Sequence, residues 1–206
     1  MRYFLFFLVT LFLHSCASMD ITSVPKSQPE RPFSRVMLVC IETSNDMSQL
    51  DAPYFDQNIR KKFNDIDNLK FRTQLERTVD RNLGRNGFPE IIKSSEVFKV
   101  DEDYSFEQFY SEVKKTGAEA VLFINLRDYW MSDKYVTSHY ENTSVTRNES
   151  EPNSSYYAYL YSFEDLQQYA WVGKINVSGI WAGYDTLNNY LARGIARMLR
   201  KEKYIQ

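Results

Sequence analysis

The sequence predicts an α/β (α+β) domain in which a single mixed sheet carries helices packed on it and ends in a β-hairpin followed by an amphipathic helix. Two apolar runs, residues 36–41 and 118–126, are hydrophobic at both parities, the mark of strands covered on both faces. Segments with apolar residues three and four apart fall between and beyond them. Strand, helix, strand, helix, strand in that order places parallel neighbours in the sheet. Of the 206 residues, 43% are hydrophobic and 16% aromatic, enough for one substantial core and not for two, so residues 34–206 are expected to form a single domain.

The elements follow in order. Residues 34–42 read as the first strand, with Cys40 a small hydrophobe of the core. After a polar loop, Ile59, Phe63 and Ile66, then Phe71, Leu75, Val79 and Leu83, line one side of a helix or of a broken pair, stopped at Asn86-Gly87. Residues 90–93 are a candidate short strand. Ser105 and Gln108 have capping-box spacing, Phe106, Phe109, Tyr110 and Val113 share a face, and Lys114, Lys115 and Gly117 close that helix. A strand over 118–126 leads into a polar stretch, within which 132–155 is either an exposed loop or a solvated hairpin. Residues 156–163 and 169–177 read as two strands around a turn at 164–168. Pairing odd residues with odd ones sets Tyr157, Tyr159 and Tyr161 across from Ile175, Gly173 and Trp171. A helix over 184–203 presents Leu187, Leu191, Ile195, Met198 and Leu199 on one side and ends in basic residues that suit its dipole.

The N-terminus carries an address. Residues 3–13 are an apolar run behind Arg2, shorter than the roughly 20 residues needed to span a bilayer, so residues 1–15 read as a secretory signal. Leu13-His14-Ser15-Cys16 resembles the lipobox of bacterial lipoproteins, with His14 in place of the usual small residue. The resemblance implies that Cys16 is acylated and becomes the first residue of the mature chain; an ordinary secretory signal is the alternative. Acylation through two or more chains anchors a protein stably without a spanning helix. Ala17, where an aspartate would resemble inner-membrane retention, points to the outer membrane, facing the periplasm. Residues 17–33 hold Pro25, Pro29 and Pro32 among polar residues and are expected to be a flexible linker of roughly 20–25 Å root-mean-square span.

Composition limits the chemistry. Beyond residue 15 there are 24 basic and 27 acidic residues, no footprint for nucleic acid. His139 is the one histidine after the signal, too few for a His-centred zinc site or a triad with supporting ligands. The Asp101-Glu102-Asp103 cluster lacks the glycine and alternating ligands of a calcium loop and suits a helix N-terminus instead. The scattered glycines form neither a phosphate loop nor a nucleophile elbow. No cofactor, metal or catalytic residue is therefore expected, and no enzyme.

One constellation stands out, the aromatics along the hairpin: Tyr157, Tyr159, Tyr161 and Trp171, with Tyr129, Trp130, Tyr156, Phe163 and Tyr169 nearby. Strands favour aromatics for packing, so a buried cross-strand ladder explains them; an exposed patch for a partner does too. The element order, residues 116–122 (TGAEAVL) entering a central strand, residues 161–165 and Trp171-Val172-Gly173 on a hairpin, and the Ala-rich closing helix are similar to a group of bacterial envelope lipoproteins. Its members include the penicillin-binding-protein activators and the periplasmic domain of the curli secretion lipoprotein. The resemblance implies a non-enzymatic role through contacts. No pair of alternating apolar hairpins suited to a membrane barrel is present. The expectation is a membrane-anchored interaction or scaffolding module with an envelope protein partner, bound through Tyr157, Tyr159, Tyr161 and Trp171. The alternative is a binding module for a small ligand or cell-wall glycan that uses the same hairpin.

Overall fold

A computed structural model describes residues 17–140, 143–180 and 182–206. The signal segment and Cys16 lie outside the described residues. Six strands form one mixed sheet: β1 (Ala17–Pro25), β2 (Arg35–Glu42), β3 (Glu90–Lys93), β4 (Ala120–Tyr140), β5 (Thr143–Ser162) and β6 (Asp165–Gly179), in the spatial order β1-β6-β5-β4-β2-β3. β2 runs parallel to β3 and β4, and the other neighbours are antiparallel. The helices are α1 (Ala52–Asn58), α2 (Leu69–Leu83), the single turn α3 (Ser94–Val97), α4 (Phe106–Thr116) and α5 (Tyr184–Lys201).

The doubly apolar runs do what their pattern requires. Val36, Leu38 and Cys40 enter one core, Met37, Val39 and Ile41 the other, and all six are inaccessible to solvent. The first core is closed by α2 and α5 through Leu75, Val79, Leu83, Leu191, Ile195 and Leu199. The second is closed by α1 and α4 and is built largely from aromatics: Phe55, Phe63, Phe98 and Phe109 meet with centroids 4.9 to 5.8 Å apart. The broken helical pair of the sequence thus divides between faces. Phe55, Ile59 and Phe63 pack on one side, whereas Phe71, Leu75, Val79 and Leu83 pack on the other, and Ile66, in the crossing between them, is 55% exposed.

Capping follows the sequence closely at α4, where Ser105 and Gln108 complete a reciprocal box and Gly117 ends the helix at φ 69°. α2 stops earlier than expected, at Gly84, and the Asn86-Gly87 pair with positive φ forms the turn beyond it. Both cores are complete over β2 and β4. On the α1/α4 side, however, no helix among the described residues covers the outer strands β6 and β1, and Thr22, Val24 and Lys174 stand exposed there.

Two expectations are corrected. Residues 17–25 are no linker but an edge strand, paired to β6 from Ala17↔Gly179 to Pro25↔Trp171. Ala17, Met19, Ile21 and Ser23 alternate with exposed Ser18, Asp20, Thr22 and Val24, a half-buried strand pattern diluted by small and polar residues. The hairpin register also differs. Tyr157 faces Lys174, Tyr159 faces Val172 and Leu160 faces Trp171, because Ala170 is an extra residue on β6 between Tyr161↔Tyr169 and Leu160↔Trp171. That one-residue slip moves Trp171 to the opposite face from the odd-numbered tyrosines. Of the two alternatives for 132–155, loop or solvated hairpin, the structure shows the second: paired antiparallel strand on both sides of residues 141 and 142.

Candidate functional site

Two neighbouring features rise from β4 and β5. The first is an arm. β2 pairs with β4 as far as Leu126, and β6 pairs with β5 as far as Asn153. Beyond that, among the described residues, 131–140 and 143–152 pair only with each other, ten residues on each strand, a ribbon of about 33 Å at the usual rise per residue. Cross-strand polar pairs run along it: Lys134 Nζ to Glu151 at 3.3 Å, Thr137 to Thr146 at 3.0 Å, and His139 Nδ1 to Ser144 at 2.7 Å. Apolar groups are exposed along and at the base of the same ribbon. Trp130 is 40% exposed, Met131 53% and Tyr135 73%. Tyr129 stacks on Tyr184, the first residue of α5, at 5.0 Å, which fastens the base of the arm to the helix layer.

The second feature is a tyrosine surface on the half-sheet that no helix among the described residues covers. Tyr157 and Tyr159 stack at 6.0 Å, and Tyr159 meets Tyr169 edge-on at 5.8 Å. Arg127 and Lys174 flank the Tyr157 ring at 5.7 and 6.0 Å, and Lys26 lies 4.9 Å from the Tyr169 ring. Arg127 has no partner in the β4–β5 register, which skips from Leu126 to Asp128. Its guanidinium donates to the Asn45 carbonyl at 2.7 Å, so the irregularity turns a cation toward the tyrosines. The loop after β2 closes the inner edge. Tyr159 donates to Asp46 Oδ1 at 3.1 Å, Tyr54 to the Asp46 carbonyl, and Tyr161 to the Met47 carbonyl.

Charge states follow from these contacts. Partial burial works to raise the Asp46 carboxyl, but hydrogen bonds from Ser48 and Tyr159 outweigh it and hold the group below its ordinary value. Burial, then the Asp46 charge, pushes the Tyr159 phenol well up, and burial does the same to Tyr161. Both remain neutral donors at physiological pH.

The four hairpin residues singled out from the sequence therefore do not form one surface. Tyr161 and Trp171 are inaccessible and Tyr159 is 5% exposed; Trp171 belongs to the α2/α5 core, and Tyr157 alone of the four is half-buried and open. The residues that sequence reasoning undervalued are Trp130, Met131 and Tyr135. The signal was limited to the apolar triplet Tyr129-Trp130-Met131 and the pair Tyr135-Val136, without strand alternation and set in an otherwise polar stretch that hid it. Among the described residues, no group of three or more His, Cys, Asp and Glu side chains is placed to hold a metal ion, and no helix is long and apolar enough to cross a membrane.

No family model matches the chain, and no curated protein matches it. Among solved structures, it is similar to the PelC dodecamer from Paraburkholderia phytofirmans, at 11% identity over 92% of this chain and all of that one, with a TM-score of 0.49. It is also similar to lipoprotein GNA1162 from Neisseria meningitidis, at 12% identity over 82% of this chain and 99% of that one, with a TM-score of 0.39. A PDZ domain protein from Parabacteroides distasonis matches at 10% identity over the whole of this chain and 40% of that one, with a TM-score of 0.38.

Proposed function

We propose that this chain is a non-enzymatic interaction module of the bacterial cell envelope, held at a membrane through acylated Cys16, that docks on a protein partner through the β4–β5 arm and the adjoining tyrosine surface. The observation that carries the reading is the arm. A two-stranded ribbon is marginal by itself in water, and here, among the described residues, ten residues on each strand have no third strand or helix to support them. Exposed Trp130, Met131 and Tyr135 add apolar area and rotamer-poor aromatic groups of the kind that anchor interfaces, and both ribbon edges offer free backbone groups for strand addition. The β1 register supports the tether, because Ala17, the residue after Cys16 and the first one described, is already paired to Gly179 in the sheet. A lipid at Cys16 then holds the Ala17 end of the sheet, which is also the end from which the arm projects, against the bilayer, on our reading the outer membrane.

Affinity capture from solubilised membranes tests this with the triple variant Trp130→Ala, Met131→Ala, Tyr135→Ala, all exposed, so that the fold is retained. The full chain is expected to retain a specific partner that the variant loses; equal recovery by both sinks the arm as the contact. Tyr159→Ala and Tyr161→Ala are unsuitable probes, since both side chains are buried.

A second reading has its own observation, the Tyr157–Tyr159–Tyr169 group framed by Lys26, Arg127 and Lys174, which suits a small ligand or a glycan. Thermal stabilisation by cell-wall fragments that Tyr157→Ala removes is its expected signature.

A further inference from the structure

On the opposite side of the sheet, α2 and α5 lie side by side and present two rows of cations. Arg77 and Arg81 on α2 and Arg85 just after it are spaced four apart, as are Arg193, Arg197 and Lys201 on α5. All six are exposed, and none takes part in an ion pair among the described residues. Three grooves of about 350, 500 and 510 Å³ follow one another along the α2 row; Arg193 and Arg197 face it across the second, and Lys201 lies outside all three. The first and second share Arg81, and the second and third share Arg85 and Arg200. From Lys70 at one end to Arg85 at the other the track extends about 22 Å at helical rise. Only one carboxylate lines it, Asp185 at the Lys70 end, and that group accepts a hydrogen bond from Gln74. Nearby Asp80 is turned to Lys93, 3.6 Å away.

Like charges at this spacing repel along each helix and work against folding. The chain has no general surplus of cations to distribute, since its formal net charge is −2. Arg200 shows what a structural arginine does here: it donates to the Leu83 carbonyl at 2.7 Å and to the Gln206 carbonyl at 2.8 Å, tying the ends of the two helices together. The six exposed cations do no such work.

We infer that the track between α2 and α5 is a binding site for a linear anionic glycan, one whose carboxylates or phosphates recur along the chain. Guanidinium forks pair with both groups in bidentate fashion, and two rows of them on either side of a groove fit an extended chain rather than a flat bilayer. One aromatic lines the track, Phe88 in the third groove, 58% exposed; a single ring at one end gives no platform for successive bases, which disfavours single-stranded nucleic acid. This site is separate from the tyrosine surface and from the arm.

The test uses the full-length protein in detergent, with alginate oligosaccharides as the anionic glycan, dextran as the neutral one, a single-stranded oligonucleotide of matched length, and phosphatidylglycerol or phosphatidylcholine vesicles. Alginate is expected to bind, dextran not, and the triple variant Arg81→Gln, Arg193→Gln, Arg197→Gln to bind alginate at least roughly tenfold more weakly with a melting temperature that is unchanged or slightly raised, as relief of like-charge repulsion requires. Affinity is expected to fall steeply with added salt. Alginate that fails to bind at low salt, or that binds the variant equally, overturns the site. Tighter binding of the oligonucleotide with the same arginine dependence overturns the glycan assignment, as does a preference for phosphatidylglycerol vesicles that the variant loses. Loss of alginate binding leaves partner capture by the arm untouched, so the two readings fail separately.

Discussion

Trp171 and Gly173 compete for the same space. A β-carbon built on Gly173 stands 2.5 Å from Trp171 Cη2, so the indole lies flat over a residue that must have no side chain. Gly173→Ala is expected to destabilise the fold by about 1–3 kcal/mol, because the buried ring has nowhere to move. Urea denaturation measures it, and an unchanged midpoint contradicts the packing. Buried phenols give a second prediction at this scale. Burial raises Tyr156, Tyr159, Tyr161 and Tyr204 above the ordinary tyrosine value, Tyr204 to about 12. The unfolded chain, with phenols near 10, loses these protons first, so the stability they confer is intact below about pH 10 and is lost as pH rises through the folded values. Stability that is flat or rising with pH above 10 contradicts this. The Tyr204 hydroxyl lies 2.7 Å from the Ser27 carbonyl and 2.9 Å from that of Ala170, so Tyr204→Phe is expected to cost about 1 kcal/mol at neutral pH and to make the alkaline loss shallower.

Among the elements, those with strong local chemistry were legible and those that depend on tertiary cover were not. The α4 box was readable because Ser105, Gln108 and Gly117 act within a few residues of each other, and Ser105→Ala is expected to cost about 1 kcal/mol in a thermal melt. β2 and the inner part of β4 were readable because burial on both faces leaves an unbroken apolar run. β1 was not. Its inner face holds Ala17, Met19, Ile21 and Ser23, too small and polar a set to stand out, and it is a strand because β6 offers an edge and α5 makes room for Met19 at Gly194. Ile21→Asp is expected to detach β1 while the rest of the sheet persists, seen as rapid amide exchange confined to residues 17–25; protection equal to that of β2 contradicts the account. The register of β5 on β6 was hidden for a related reason. One extra residue, Ala170, decides it, and nothing local in the sequence marks that residue.

At the scale of the whole molecule, one face of the sheet is covered by α2 and α5, the other only half covered, and a ribbon of about 33 Å extends past both. The aromatic hairpin drew attention in the sequence for sound reasons, yet it splits between a buried ladder and an open surface, and the larger exposed apolar groups lie further out on the arm. Amide exchange of residues 131–140 and 143–152 is expected to be far faster than that of residues 120–126 in the isolated protein, and to slow when the partner is bound. The most direct measurement is photo-crosslinking in native membranes from a reactive side chain at position 135, which is 73% exposed, with position 66, 55% exposed and remote from the arm in sequence, as the control. The account predicts a discrete adduct with one envelope protein from position 135 and none from position 66. No adduct from position 135, or the same adducts from both, contradicts it.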